Sequence, residues 1–498
     1  MGRLFDLHGA ANTEMHRILT TSTQPISCGM EHRNAAFPRI SADIYSFRVA
    51  DSPTIPRSLQ PQDDDMKELT AIEAAHQIAA GQLSSETFVR SCLERVEQLE
   101  AGVHAWEHLD ADRTIAQARL ADRATVRGPL HGVPLAIKDV IDTVDMPTTY
   151  GSRIYRGHRP ANDATCVALA RAAGAIILGK TVTTEFATGT PGKTRNPHNP
   201  AHTPGGSSSG SAAAVGCGMV PWAFGTQTYG STIRPASFCG VVGYKPTYGK
   251  ADVTGIKTLA AGLDTLGLFA RSVPDIALLA SVVTGGRVAA DLASETPRIG
   301  FLDTSSWGTP DATTGQLLID TVRRLDEAGA RVRDLSSPPG MASWLEIQDG
   351  LFSWQALQAF AWERLFRRGE LQPKTRSMFE QYEQAATAES YETALERAQE
   401  ARAGCANLFT DCDVLLVPAA AGEAPEGLES TGDVRFNGAW SMLQLPCVTV
   451  PMGRGAAGLP IGVQLVGPRG EDAKLLRASH FVEACLASTR LTFKSTPR

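Results

Sequence analysis

Apolar residues begin to recur at helical spacing just after Met66. Thr70-Ala-Ile-Glu73 sets a hydroxyl three residues ahead of a carboxylate, the capping-box arrangement. It predicts a helix to about Ala80, closed by Gly81. Ser84 or Ser85 opens a second helix, in which Phe88, Val89, Cys92, Leu93, Val96 and Leu99 share one face. A third runs from about Ala111 to Thr125. The period then changes. Val133 to Ile141 is an apolar run of strand length, interrupted only by Lys138. An Asp163-capped helix ending at Gly174 precedes a short strand, Ala175 to Leu178. Farther on, helices are expected at Val273–Val283, at about Thr313–Ala328 and from Asp472 to about Ser488. Strands are expected at Arg298–Leu302, Arg331–Asp334, Asp413–Pro418 and, as a pair, Cys447–Pro451 and Ile461–Gly467; Leu259–Gly267 reads as a loop. Residues 343–404 are mostly helical and are the expected substrate-shaping subregion. Strands and helices interleave with no internal repeat and no linker, which predicts one large α/β domain over residues 66–490.

The first 65 residues lack this order. They end in a Pro-rich and then acidic run, SPTIPRSLQPQDDD, and contain no basic start followed by an apolar core of secretory type. They are expected to be a disordered extension, or to precede a true start at Met66. In the whole chain of 498 residues, 43% are hydrophobic, enough for a sizeable core, and the formal net charge is −6. That balance offers no basic field for nucleic acid. No apolar run reaches the length of a membrane span. The nine cysteines are scattered singly, which fits buried thiols in a reduced cytoplasmic protein and not a disulfide framework or zinc site.

The chemistry concentrates between Thr203 and Lys250. Two hydroxyl clusters, Ser207-Ser208-Ser209 and Thr226-Gln227-Thr228-Tyr229-Gly230-Ser231, flank the apolar segment AAAVGCGMVPWAF, which reads as one buried helix. A flexible linker would not bury tryptophan. Upstream, Lys138 has two readings: an edge-strand lysine facing water beside Asp139 or Asp142, or a desolvated lysine whose lowered pKa makes it a base. Two motifs are decoys. Gly174 to Thr181 matches GxxxxGK[ST], but its middle residues, Ala-Ile-Ile-Leu, are strand formers and the order is helix then strand, the reverse of a phosphate loop. Gly206-Ser-Ser-Ser-Gly210 matches GxSxG, yet Thr203-Pro-Gly is not a strand and only His480 lies downstream. His198 and His202 are separated by Pro200, which forbids the helix that would aim both at one metal; neither metal nor cofactor is expected.

These residues resemble the amidase signature family. The matching blocks are Gly205-Gly-Ser-Ser-Ser-Gly-Ser211, Gly225-Thr-Gln-Thr-Tyr-Gly-Ser231, Arg234-Pro-Ala236 and Gly240-Val-Val-Gly-Tyr-Lys-Pro-Thr247. Gly128 to Asp139 and Gly458 to Gly467 agree with them. The resemblance implies a large mixed, largely parallel twisted sheet with helices on both faces. It also implies a Ser–cisSer–Lys triad: Ser231 as nucleophile, Ser207 as the bridging serine after a cis peptide, Lys138 as terminal base and Ser208 in support. Backbone N–H groups of Thr228, Tyr229, Gly230 and Ser231 would form the oxyanion hole. The implied reaction cleaves a carboxamide C–N bond of a small molecule through an acyl-enzyme, with esters, anilides or carbamates as further substrates.

Three features depart from the commoner family pattern. Tyr229 stands where Gly or Ala is usual, Gln227 replaces a common Asp, and Arg234 follows the nucleophile by three residues instead of two. The last two are similar to a bacterial branch with GTQT…S..IRPA. Tyr229 and Arg234 are therefore candidates for substrate contact, Arg234 with an ion-pair role as its alternative. The competing functions are an A-type glutaminase subunit of a tRNA-dependent amidotransferase and an inactive binding protein on the same fold. A homodimer is left open.

Overall fold

A computed structural model describes residues 69–487 apart from Ala290 and Ser294. The reading of residues 1–65 lies outside the described residues. The chain opens as its pattern predicts: Thr70 caps the helix Ala71–Ala79, its side chain accepting from Glu73 N while Glu73 accepts from Thr70 N at 2.8 Å. The next helices are Ser85–Val103 and Ala111–Arg123. The helix expected to start on an Asp163 cap begins at Thr165, with Ala164 at the cap position. Asp163 instead accepts from Val144 N at 2.9 Å and pairs with Arg171 at 3.0 Å.

Eleven strands form one sheet among the described residues. They are β1 (Trp106–Leu109), β2 (Pro134–Lys138), β3 (Ile176–Thr181), β4 (Trp222–Gln227), β5 (Val242–Lys245), β6 (Thr265–Ala270), β7 (Arg298–Leu302), β8 (Arg331–Leu335), β9 (Val414–Pro418), β10 (Cys447–Arg454) and β11 (Pro460–Val466). Their order is β1-β3-β2-β4-β6-β5-β10-β11-β9-β7-β8. β2 runs parallel to β3 and β4, and β7 parallel to β8 and β9. The pairings β1/β3, β4/β6, β6/β5, β5/β10, β10/β11 and β11/β9 are antiparallel. The sheet is mixed as expected, but it is not largely parallel: its two parallel blocks flank an antiparallel centre. The cause is visible at β10 and β11, which a short glycine-rich turn joins as a hairpin, whereas parallel neighbours need a crossover.

Both faces of the sheet are covered, as adjacent residues of β5 demonstrate. Side chains alternate along a strand. A Cβ at Gly243 would meet Ala236 of the helix Ile233–Cys239 at 2.5 Å, whereas Tyr244 OH donates to Asp472 of the helix Asp472–Cys485 at 2.7 Å.

The segment between the hydroxyl clusters is not one helix. Helix Ser209–Gly216 ends and Gly218 turns with φ +75; β4 starts after Pro221. β4 lies between β2 and β6 and is buried along its whole length, so its residues carry no period by which a strand differs from a buried helix. Leu259–Gly267, expected as loop, enters β6 at Thr265. Residues 343–404 do form helices, Trp344–Ala359, Ala361–Phe366, Pro373–Ala385 and Ala388–Gly404.

Candidate active site

Lys138 is the last residue of β2, with β3 on one side and β4 on the other. It is fully buried, and Nζ lies 2.7 Å from Ser207 Oγ and 2.7 Å from Thr226 Oγ1. The edge-strand reading therefore fails. One strand away, the equally buried Lys180 has the Asp139 carboxylate at 3.2 Å and donates to Ile141 O at 2.8 Å. Lys138 has hydroxyl neighbours in place of such a partner. Burial pushes its ammonium well below the ordinary lysine range, and only the Asp264 carboxylate opposes this. A neutral amine there can donate to one hydroxyl and accept from the other.

The peptide bond before Ser207 is cis. Its surroundings hold the serine loop from several sides. Arg234 donates to Gly206 O at 2.7 Å, and Thr184 N to Ser207 O at 3.3 Å. Ser208 N donates to Ser231 O at 3.4 Å, so the residue after Ser207 is tied to the candidate nucleophile. Ser208 Oγ donates to Thr226 O at 3.1 Å and accepts from Thr226 N at 3.2 Å, docking on β4. This approach requires glycine at 225, where a Cβ would stand 2.7 Å from Ser208 Oγ.

Ser231 sits in the turn between β4 and the helix Ile233–Cys239, and its hydroxyl has no hydrogen-bond partner among the described residues. Every carbonyl of the turn is engaged. Thr228 O accepts from Gln348 Nε2 at 3.0 Å and Tyr229 O from Ser441 Oγ at 2.9 Å. Gly230 O accepts from Arg234 N at 3.0 Å and Ser231 O from Ser208 N at 3.4 Å. The N–H groups of Thr228, Tyr229, Gly230 and Ser231 have no such partner among the described residues. Buried N–H groups are nearly always paired, so this row is available to an oxygen from outside the chain. Gln227 braces the turn, accepting from Thr232 N at 2.9 Å and Ile233 N at 3.1 Å and donating to Ser441 Oγ at 3.2 Å. A Cβ on Gly230 would lie 2.4 Å from Asn437 Oδ1, so no other residue fits there.

The two candidates for substrate contact are engaged within the protein. Arg234 is buried; beyond Gly206 O it donates to Thr431 O at 2.7 Å and Thr431 Oγ1 at 3.1 Å, and burial lowers its pKa to about 10. Tyr229 turns its ring to the helix Trp344–Ala359, stacking edge-on against Phe352 at 4.8 Å and donating to Asp349 Oδ1 at 2.6 Å. His198 and His202 face the carbonyls of Cys239 and Ala424. Sequence reasoning missed Thr226 as a lysine partner, and Asp264, Gln348 and Ser441 altogether. Asp264 accepts from Thr228 Oγ1 at 2.6 Å and from Leu259 N and Ala260 N at 2.8 and 3.0 Å, and burial raises its pKa to about 6. An aspartate just ahead of an apolar run, Leu266 to Ala270, was the available signal.

A mixed sheet thus sets a buried lysine against a serine-rich loop. Similarity to known proteins bears on it directly. The amidase family model matches residues 87–476. The A-type chain of the glutamyl-tRNA(Gln) amidotransferase of Anaeromyxobacter sp. (strain K) is 34% identical over 471 residues, covering 82% of this chain and 95% of the relative. The putative amidase AmiD of Mycobacterium tuberculosis (strain ATCC 25618 / H37Rv) is 34% identical over 466 residues, covering 86% and 96%. Among solved structures, native peptide amidase from Stenotrophomonas maltophilia superposes with a TM-score of 0.73 at 28% identity, covering 85% of this chain and 98% of that one. The chain belongs to the amidase family. It is a hydrolase acting on amides. Among the described residues no helix is long and apolar enough to cross a membrane.

Proposed function

We propose that the chain hydrolyses a small carboxamide through an acyl-enzyme on Ser231, with Ser207 and Lys138 as the proton relay. The observation that carries this reading is a fully buried lysine, 2.7 Å from Ser207 Oγ, with hydroxyls where Lys180 has a carboxylate. Neutral Lys138 takes the Ser207 proton as Ser207 takes that of Ser231, and Ser231 Oγ bonds to the acyl carbon. The carbonyl oxygen becomes an oxyanion facing the N–H row of residues 228–231. The relay runs back to protonate the departing amine, and water then repeats the sequence to release the acid. Ser208 supports the geometry, and Arg234 and Tyr229 act through the protein and not on substrate.

The test is a panel of aliphatic, aryl and dicarboxylic amides with wild type, Ser231→Ala, Ser207→Ala and Lys138→Ala. Ser231→Ala is expected to abolish turnover, and the other two to be severely impaired; full activity in Ser231→Ala and Lys138→Ala removes the mechanism. Complete inactivity of wild type together with saturable amide binding would favour a binding protein on this fold.

A second reading, an A-type glutaminase subunit, is favoured by the 34% identity to the amidotransferase relative. It shares the acyl chemistry and differs in the fate of the ammonia. Glutamine hydrolysis by the isolated chain that rises on adding the other amidotransferase chains would select it.

A further inference from the structure

We infer that Gln348 and Ser441, from two segments far along the chain, are positioning residues that set the oxyanion hole by holding the carbonyls of Thr228 and Tyr229; this rests on the acyl-enzyme reading above. In a trans peptide the carbonyl of one residue and the N–H of the next point in opposite directions. The Gly206–Ser207 bond is the cis peptide among the described residues, so the bonds joining Thr228, Tyr229 and Gly230 are trans. Gln348 Nε2 draws Thr228 O to itself at 3.0 Å, which directs Tyr229 N–H the opposite way. Ser441 Oγ does the same to Tyr229 O at 2.9 Å, which directs Gly230 N–H. A flipped peptide at either place would present a carbonyl to a developing oxyanion in place of a donor.

Both holders are built to stay. Gln348 is fully buried and Ser441 is 2% exposed. Ser441 is itself oriented by Gln227 Nε2 at 3.2 Å, whose Oε1 reaches the backbone of Thr232 and Ile233. Gln227 and Ser441 thus bracket the turn from both ends. The helix carrying Gln348 also carries Asp349 and Phe352, the partners of the Tyr229 side chain, so one element grips consecutive residues of the turn by backbone and by side chain. The part of the hole that Gln348 sets is therefore in place only when the helix Trp344–Ala359 is packed on the turn.

The experiment compares Gln348→Leu, Ser441→Ala and Ser441→Thr with wild type and Ser231→Ala. It reads kcat and KM on the first carboxamide of the panel that wild type hydrolyses, and the rate of Ser231 labelling by a fluorophosphonate. Direct loss of an oxyanion donor lowers kcat about 100- to 1,000-fold in other enzymes; loss of its orientation is expected to cost about 10- to 100-fold. Gln348→Leu and Ser441→Ala should show this in kcat and in labelling, with KM within about twofold, and Ser441→Thr should recover most of it by restoring the hydroxyl. Unchanged kcat, or a change confined to KM, overturns the inference while Ser231→Ala still reports on the chemistry. If Gln348→Leu does not fold, the Ser441 pair decides. A wild type that neither hydrolyses nor labels at Ser231 fails the acyl-enzyme reading and takes this inference with it.

Discussion

Thr226 Oγ1 stands 2.7 Å from Lys138 Nζ, the same distance as Ser207 Oγ. The lysine is therefore aimed by two hydroxyls, one on the serine loop and one on β4. A neutral amine that donates to Thr226 turns its lone pair toward Ser207, the direction the relay needs. Thr226→Val keeps the shape and removes the hydroxyl. One neutral hydrogen bond contributes about 0.5–1.5 kcal/mol, so kcat should fall up to about 10-fold with KM unchanged. Thr226→Ser should restore it. Steady-state kinetics on both variants checks this, and a Thr226→Val enzyme as fast as wild type would remove Thr226 from the relay.

The Asp264 carboxylate raises the pKa of Lys138 while burial lowers it more. If Lys138 is the base, activity is expected to fall at acid pH as Lys138 takes up a proton. In Asp264→Asn the anion that supports the ammonium is gone, so the ammonium is less stable and the acid limb of kcat should move to lower pH. Asp264 itself titrates at about 6, so above that pH it is charged and the comparison with wild type is cleanest. A limb that moves upward, or not at all, would contradict the assignment of that limb to Lys138.

These two residues also mark how far the sequence could be read. Lys138 was legible because a cation inside an apolar run is costly unless it has a role, and the spacing of glycines and serines around residues 205–211 and 225–231 carried the rest of the candidate triad. Strand positions followed the same logic where turns punctuated them. What stayed hidden depended on distant segments meeting. Gln348 and Ser441 look like ordinary polar residues of mostly apolar segments, and nothing local marks them as partners of carbonyls more than a hundred positions away. β4 escaped because a strand buried on both faces is apolar throughout, and the direction of the central strands depended on connections that composition does not display.

Arg234 links Gly206 O to Thr431 through its guanidinium fork. Arg234→Lys keeps the charge but supplies one point donor where the fork bridged two places. Losing a charge-assisted bond in a buried site costs about 1.5–3 kcal/mol, so thermal or urea unfolding should show that loss together with a lower kcat. An arginine that instead neutralised a substrate carboxylate would raise KM for acidic amides and leave the unfolding midpoint alone.

Lys257 joins the loop leading to Asp264 to the helical region. Its Nζ lies 2.5 Å from Glu363 Oε1, and 5.1 and 5.3 Å from the ring centres of Tyr155 and Phe360. Glu363 is 1% exposed, so Lys257→Met leaves a buried carboxylate without its cation. Breaking such a pair from one side costs about 3–5 kcal/mol. Lys257→Met with Glu363→Gln should recover much of the loss, because the uncompensated charge is then gone. Denaturant unfolding of the two singles and the double measures this; a double variant as unstable as the sum of the singles would show that the pair is not coupled.

Tyr229 and Asp349 provide the last test, since their 2.6 Å bond connects the oxyanion turn to a groove of about 700 Å³ lined by Asp349, Glu346, Ser353 and Tyr382. Burial pushes the Tyr229 phenol well above its usual range, so it remains a donor at every working pH, and it pushes Asp349 upward as well. Tyr229→Phe removes the donor but keeps the ring against Phe352. Asp349→Asn keeps the shape and removes the charge. If the bond steadies the turn, each variant should lower kcat, and the double variant should be little worse than either one. The coupling expected for contacting residues is about 0.5–3 kcal/mol. A double-mutant cycle on kcat/KM, run with amides of short and long amine portions, reads both coupling and selectivity. Strictly additive effects would mean that Tyr229 touches the substrate on its own account, and the bond to Asp349 would then be incidental to catalysis.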